Sequence, residues 1–128
     1  MRRPAAALLL VVVVGAGLSV HAFLPDNDAT DIAGDALYAA AAYLMVVSIG
    51  PNLRPAMSGC LAAAWCVGVE LFQLTGIPLE LGAAFPPAML VLGTVFDARD
   101  LLVYVATIAG ITGGDAVLTL LRDRRAAA

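Results

Sequence analysis

Lysine is absent from this 128-residue chain, histidine occurs once and cysteine twice, and aromatic residues make up only 6%. Each shortage closes a class of function. The seven basic residues, Arg2, Arg3, Arg54, Arg99, Arg122, Arg124 and Arg125, are too few and too dispersed to track a phosphate backbone, so no nucleic-acid partner is expected. One His with two Cys gives no zinc spacing, and neither a metal nor another cofactor is expected. Cys60 and Cys66 would sit about 240° apart around a helix and about 9 Å along it, out of disulfide reach, and read as free core thiols. There is no nucleophile elbow, no HExxH and no glycine-rich phosphate loop after a strand, so the chain is not expected to be an enzyme. Charge is scarce too, 13% against roughly 25% in soluble domains.

What fills the chain instead is Ala, Val, Leu and Gly, 62% hydrophobic residues in all, and this composition predicts a membrane protein packed through small side chains. A hydrocarbon core about 30 Å thick needs about 20 apolar helical residues. Four runs come to that length: 5–24, 32–49, 56–74 and 100–121. They are continuous rather than alternating, which favours helices over barrel strands. A fifth apolar piece, 82–96, is short and contains Pro86 and Pro87. If it does not cross, six Arg lie on one side against Arg99 alone; if it crosses, the division is four against three and the positive-inside preference is largely lost. The reading is therefore an all-α integral membrane bundle of four transmembrane helices, one domain over 1–128, with a short interfacial or re-entrant segment before the last helix. Both termini are expected to be cytoplasmic. The competing reading of MRRP and the following apolar run as a signal peptide is weakened by a run longer than the usual 7 to 15 residues of such a segment.

On that topology the polar residues gather toward the outer leaflet: His21 ending the first span, Asp35 opening the second, Glu70 and Gln73 in GVELFQLTG closing the third, and Asp97 and Asp100 leading into the fourth. Exposing a carboxylate to hydrocarbon costs about 2.5 to 3.5 kcal/mol even on the lenient insertion scale, so these groups are expected to face a bundle interior or a wet cavity. Glu70 and Gln73, three apart, can address one point. Two readings stand for the pair, an outward-open polar cup shared with Asp35 and Asp100, or interhelical glue. Asp100 reads as a helix cap as well. Arg99 either neutralises the acidic surround, receives an anionic head group, or is a solvated surface residue. Asp115 either pairs with Arg122 or a neighbouring helix, or follows a span ended by Gly113 and Gly114. Ala106, Gly110 and Gly114 form a small-residue ridge on the last span, against which a helix of this chain or of a second subunit can pack closely. Trp65, in mid-span, reads as packing.

The stretches GDALYA (Gly34, Asp35, Leu37), ExxQ (Glu70, Gln73) and LGTVFDARDLLVY (Leu92, Gly93, Phe96, Asp100, Leu101, Tyr104) resemble an uncharacterised bacterial family of small four-span membrane proteins that is distantly similar to the VanZ-like proteins. The resemblance covers roughly 34–110 and implies a place in the bacterial plasma membrane and a link to envelope tolerance of glycopeptides, without implying a reaction. The chain departs from that pattern in having no basic residue in LELGAAFPP, which weakens anion binding unless Arg99 substitutes. Three functions follow: an envelope protein that holds a lipid head group or amphipathic compound in the outer cup, with Asp35, Glu70, Gln73, Asp100 and Arg99 as the binding residues; a proton-coupled transporter acting as a dimer; or a structural subunit of a membrane complex. The lipid bilayer is a partner in each, and a homodimer or another membrane subunit in the last two.

Overall fold

The computed structural model describes residues 2–127, the side chains of Arg2 and Arg3 excepted. The share of the topology argument that rests on those two arginines, and the terminal residues Met1 and Ala128, lie outside the described residues. The described residues form six helices: α1 (Arg2–Phe23), α2 (Asp28–Ile49), α3 (Pro55–Gln73), α4 (Ile77–Ala84), α5 (Pro87–Leu92) and α6 (Ala98–Ala126). There is no strand among the described residues. Helices α1, α2, α3 and α6 are long and apolar enough to cross a bilayer, about 28 to 43 Å at 1.5 Å per residue. The chain is a multi-pass membrane protein. Helices α4 and α5, with 8 and 6 residues, are too short to cross.

Local chemistry sets the boundaries. Helix α2 begins four residues before its apolar run because Asn27 caps it. The Asn27 Oδ1 accepts from the Ala29 and Thr30 amides at 3.0 and 3.2 Å, and Thr30 Oγ1 accepts from the Asn27 amide in return. Pro55 starts α3 at a position where its missing N–H costs nothing. Gly76, at φ 74°, turns the chain out of α3 and into α4, and Pro86 and Pro87 separate α4 from α5. Helix α6 runs straight through Gly113 and Gly114 and on through RDRR to Ala126, five residues beyond the apolar run, since charged residues extend a helix in water at little cost.

The core joins α2, α3 and α6 around Ala39, Tyr43, Val47, Ala62, Cys66, Tyr104 and Ile108. Helix α1 packs against α2 alone among the helices and buries only Ala6 of its described side chains. Helices α3 and α6 come close together at Gly59, where an added Cβ would collide with Thr112. The ridge Ala106–Gly110–Gly114 faces outward, and nothing lies within 4 Å of a Cβ placed on Gly110 or Gly114. No helix of this chain uses that ridge. Gly59→Ala is expected to destabilise the bundle by about 1 to 3 kcal/mol through overpacking, whereas Gly110→Ala should stay within about 0.5 kcal/mol. Equilibrium unfolding in mixed micelles measures both, and equal effects would refute this placement of the α3–α6 contact.

Candidate functional site

The last turn and a half of α3 is apolar on one face and carries Glu70 and Gln73 on the other, so folding brings these two toward α6. Glu70 is fully enclosed, and Gln73 is 6% exposed. Burial of a carboxyl is tolerable only where its oxygens are hydrogen-bonded, and here donors arrive from three segments. Tyr104 of α6 donates to Glu70 Oε1 at 3.3 Å, Gln73 Nε2 to the same oxygen at 3.4 Å, and the Asp97 amide to Oε2 at 3.2 Å. Gln73 Nε2 also donates to the Leu92 carbonyl at 2.9 Å. One residue earlier, Tyr38 of α2 donates to the Val91 carbonyl at 2.6 Å while accepting from Trp65 Nε1 at 3.0 Å. The end of α5, at Val91 and Leu92, and the loop that leads from it to α6, at Asp97, are thus pinned by side chains of α2 and α3. Tyr38 and Tyr104 lie ring against ring beneath this segment, 5.7 Å between centroids.

Beside this buried set lies a charged one. Arg99 reaches across to the start of α2, 3.1 Å from Asp28 and 3.6 Å from Asp31, and lies 4.0 Å from Asp97 and 3.9 Å from Asp100. It neutralises the acidic surround, one of the three roles open to it from sequence. The cap of α6 is Asp97, whose Oδ1 accepts from the Arg99 amide at 2.8 Å; Asp100, expected as a cap, sits in the first turn and is released from that role. Its carboxyl and that of Asp35 instead line one hollow, described below. Asp35 Oδ2 and Asp100 Oδ1 are both shielded from solvent and neither has a donor. Both are acceptors, so each needs a proton or a donor from outside.

Two hollows meet at this end of the bundle. The first, about 400 Å³, has polar walls that include His21, Asp31, Asp35, Asp97, Arg99 and Asp100. The second, about 660 Å³, is an apolar groove running down between α1 and the α3–α5 side, past Leu10, Val14, Met45, Trp65, Met89 and Leu90. Gly17, His21, Gly34 and Asp35 line both, so the two adjoin there. Because α1 leans only on α2, the groove is open along its flank.

Of the residues singled out from sequence, Asp35, Asp100 and Arg99 line the polar hollow and Gln73 lines the groove, whereas Glu70 lies behind the wall of both. Ala106, Gly110 and Gly114 are elsewhere, on the outer face of α6. Asp115 lies well down α6 from these groups and accepts from Tyr43 of α2 at 2.6 Å, the neighbouring-helix alternative. Trp65 is half exposed and lines the groove. Tyr38 and Tyr104 as hydrogen-bonding members of the site were missed. Their signal was present, because Asp35 and Tyr38 are three apart and Asp100 and Tyr104 four apart, placing each phenol on its carboxylate's face.

The family described as "Protein of unknown function (DUF2809)" matches residues 25–108, which hold α2 through the first part of α6 and therefore every side chain that pins the loop. The chain belongs to that family. Neither the curated proteins nor the solved structures contain a match.

Proposed function

We propose that this member of the family holds one amphipathic molecule, its head group in the polar hollow and its chain in the groove. The observation that carries this reading is that the two hollows adjoin, with Gly17, His21, Gly34 and Asp35 lining both. A polar chamber alone would suit a water-soluble ligand, and an apolar groove alone would be filled by any acyl chain. Adjoining, they match a molecule with both parts, and the open flank beside α1 lets it enter from the bilayer. In this reading Asp35, Asp100 and Gln73 contact the ligand, Arg99 stands in the wall beside them, and Glu70 positions Gln73 and the loop. Arg54 precedes α3, and Arg122, Arg124 and Arg125 end α6, at the end of the bundle away from the hollow. The positive-inside preference then puts the termini in the cytoplasm and the hollow on the outer side, as in the plasma membrane of a bacterium, in keeping with the VanZ-like resemblance. Binding without chemistry is the role, with no cofactor.

Gly34 offers a clean test, because it lies at the junction and nothing stands within 4 Å of a Cβ placed on it. Gly34→Leu adds volume to the junction from a Cβ position that meets no neighbour, and improves helix propensity by up to about 1 kcal/mol. Native mass spectrometry of protein extracted in mild detergent should show one retained amphiphile in the wild type, and at least about a tenfold loss of occupancy in the variant, worth about 1.4 kcal/mol. Equal occupancy in both would rule the site out.

A second reading, action as a dimer or as a subunit of a larger complex, draws on the unfilled ridge of Ala106, Gly110 and Gly114. The same mass measurement decides it: a stoichiometric partner supports it, and a lone monomer counts against it.

A further inference from the structure

The unpartnered atoms on these walls are mostly of one kind. Asp35 Oδ2, Asp100 Oδ1 and Gln73 Oε1 are shielded from solvent and have no donor. All three are acceptors. Gln73 is the most telling, since it is 6% exposed and both its bonds, to Leu92 and Glu70, are made through Nε2, which fixes Oε1 as the free end of the amide. A buried acceptor left without a donor costs about 1 to 3 kcal/mol, so an amide held in this orientation at the edge of a groove points to a donor supplied from outside. The one unpartnered donor, Arg99 Nε, is 3.9 Å from Asp100 and belongs to a guanidinium already engaged by Asp28 and Asp31. The polar hollow has Asp26, Asp31, Asp35, Asp97 and Asp100 on its walls against that single Arg.

We infer that the amphiphile carries a protonated amine seated where the polar hollow adjoins the groove at Asp35, its ammonium N–H groups donating to Asp35 and Asp100 on the hollow's side and to Gln73 Oε1 on the groove's. An ammonium has three donors and no acceptor, which matches three bare acceptors and takes the place of the protons that the two carboxyls otherwise need. Its charge answers the excess of carboxylates, and charge-assisted bonds of this type are roughly twice as strong as neutral ones. An anionic head meets the reverse: five carboxylates to repel it and one Arg already occupied. This inference rests on the amphiphile reading above, naming the ligand class for the same site.

The chain's single tryptophan, Trp65, lines the groove, so its fluorescence reports a quencher lodged there. The probes are two amphiphiles with the same brominated alkyl chain, one ending in a primary ammonium and the other in a sulfate. Each is titrated into the full chain in zwitterionic phosphatidylcholine nanodiscs. The ammonium probe should quench Trp65 saturably, at a mole fraction at least about tenfold lower than the sulfate probe, and Asp35→Asn should narrow that ratio to under about threefold. The head-group comparison in the wild type needs no variant, and helicity by circular dichroism confirms that Asp35→Asn is folded. Equal saturable quenching by both probes overturns the ammonium assignment and leaves the amphiphile site standing. Quenching that rises linearly with both probes, as free partition into lipid would give, overturns both.

Discussion

Replacing Glu70 by Ala is expected to destabilise the bundle more than any other single truncation at its polar end, by about 3 to 5 kcal/mol, because it strands several buried groups at once. The Asp97 amide and the Tyr104 hydroxyl lose their acceptor, and the segment before α6 loses one of its three pins. Gln73 keeps its bond to the Leu92 carbonyl, which limits the damage on that side. Glu70→Gln retains one carbonyl oxygen for Tyr104 but offers an NH₂ where the Asp97 amide needs an acceptor, so it should cost about 1 to 2 kcal/mol. Denaturant titration in mixed micelles, followed by helicity, measures the series. A double-mutant cycle with Tyr104→Phe should give a coupling energy of about 0.5 to 1.5 kcal/mol for the 3.3 Å contact. An unfolding midpoint for Glu70→Ala equal to that of the wild type would mean that the carboxyl has no such partners in the membrane.

This role for Glu70 shows where sequence reasoning was able to reach. The four membrane helices were legible because length and hydropathy suffice to identify them, and so was the gathering of Asp35, Gln73, Arg99 and Asp100, which follows once alternate helix ends share a side. Which of two close polar side chains lines a hollow was not legible. An i, i+3 pair such as Glu70 and Gln73 has the same spacing whether it faces water or the backbone of a neighbouring loop, and the groups that enclose Glu70 include a main-chain amide, which leaves no trace in residue identity. The start of α2 was mislaid for the opposite reason. The signal N-x-x-T at Asn27 and Thr30 was present, but its polarity reads as a loop until the reciprocal capping bonds are considered. The ridge on α6 marks where close approach is permitted, not where it happens. The bundle brings α3 and α6 close together at Gly59, a single glycine whose effect depends on Thr112 being opposite it.

Gly93→Ala is the other substitution with a large expected effect, and it tests the loop rather than the helix. Gly93 has φ 63° and ψ −161°, a region that is essentially reserved for glycine and costs a residue with a Cβ about 1 to 3 kcal/mol. The added Cβ would also collide with Gln73 Nε2, forcing the amide away from the Leu92 carbonyl and from Glu70, the two bonds that hold it. Together these should cost about 3 to 5 kcal/mol, with faster amide hydrogen exchange over the segment that follows α5. Gly76→Ala is the matched control. Gly76 also has positive φ, 74° with ψ −11°, but nothing lies within 4 Å of a Cβ built on it, so only the left-handed penalty of about 1 to 2 kcal/mol remains. The difference between the two variants therefore isolates what the seat of Gln73 contributes. Should Gly76→Ala prove the more damaging, the loop is not seated on α3 as described, and Gln73 would no longer be held with its Oε1 free for a ligand.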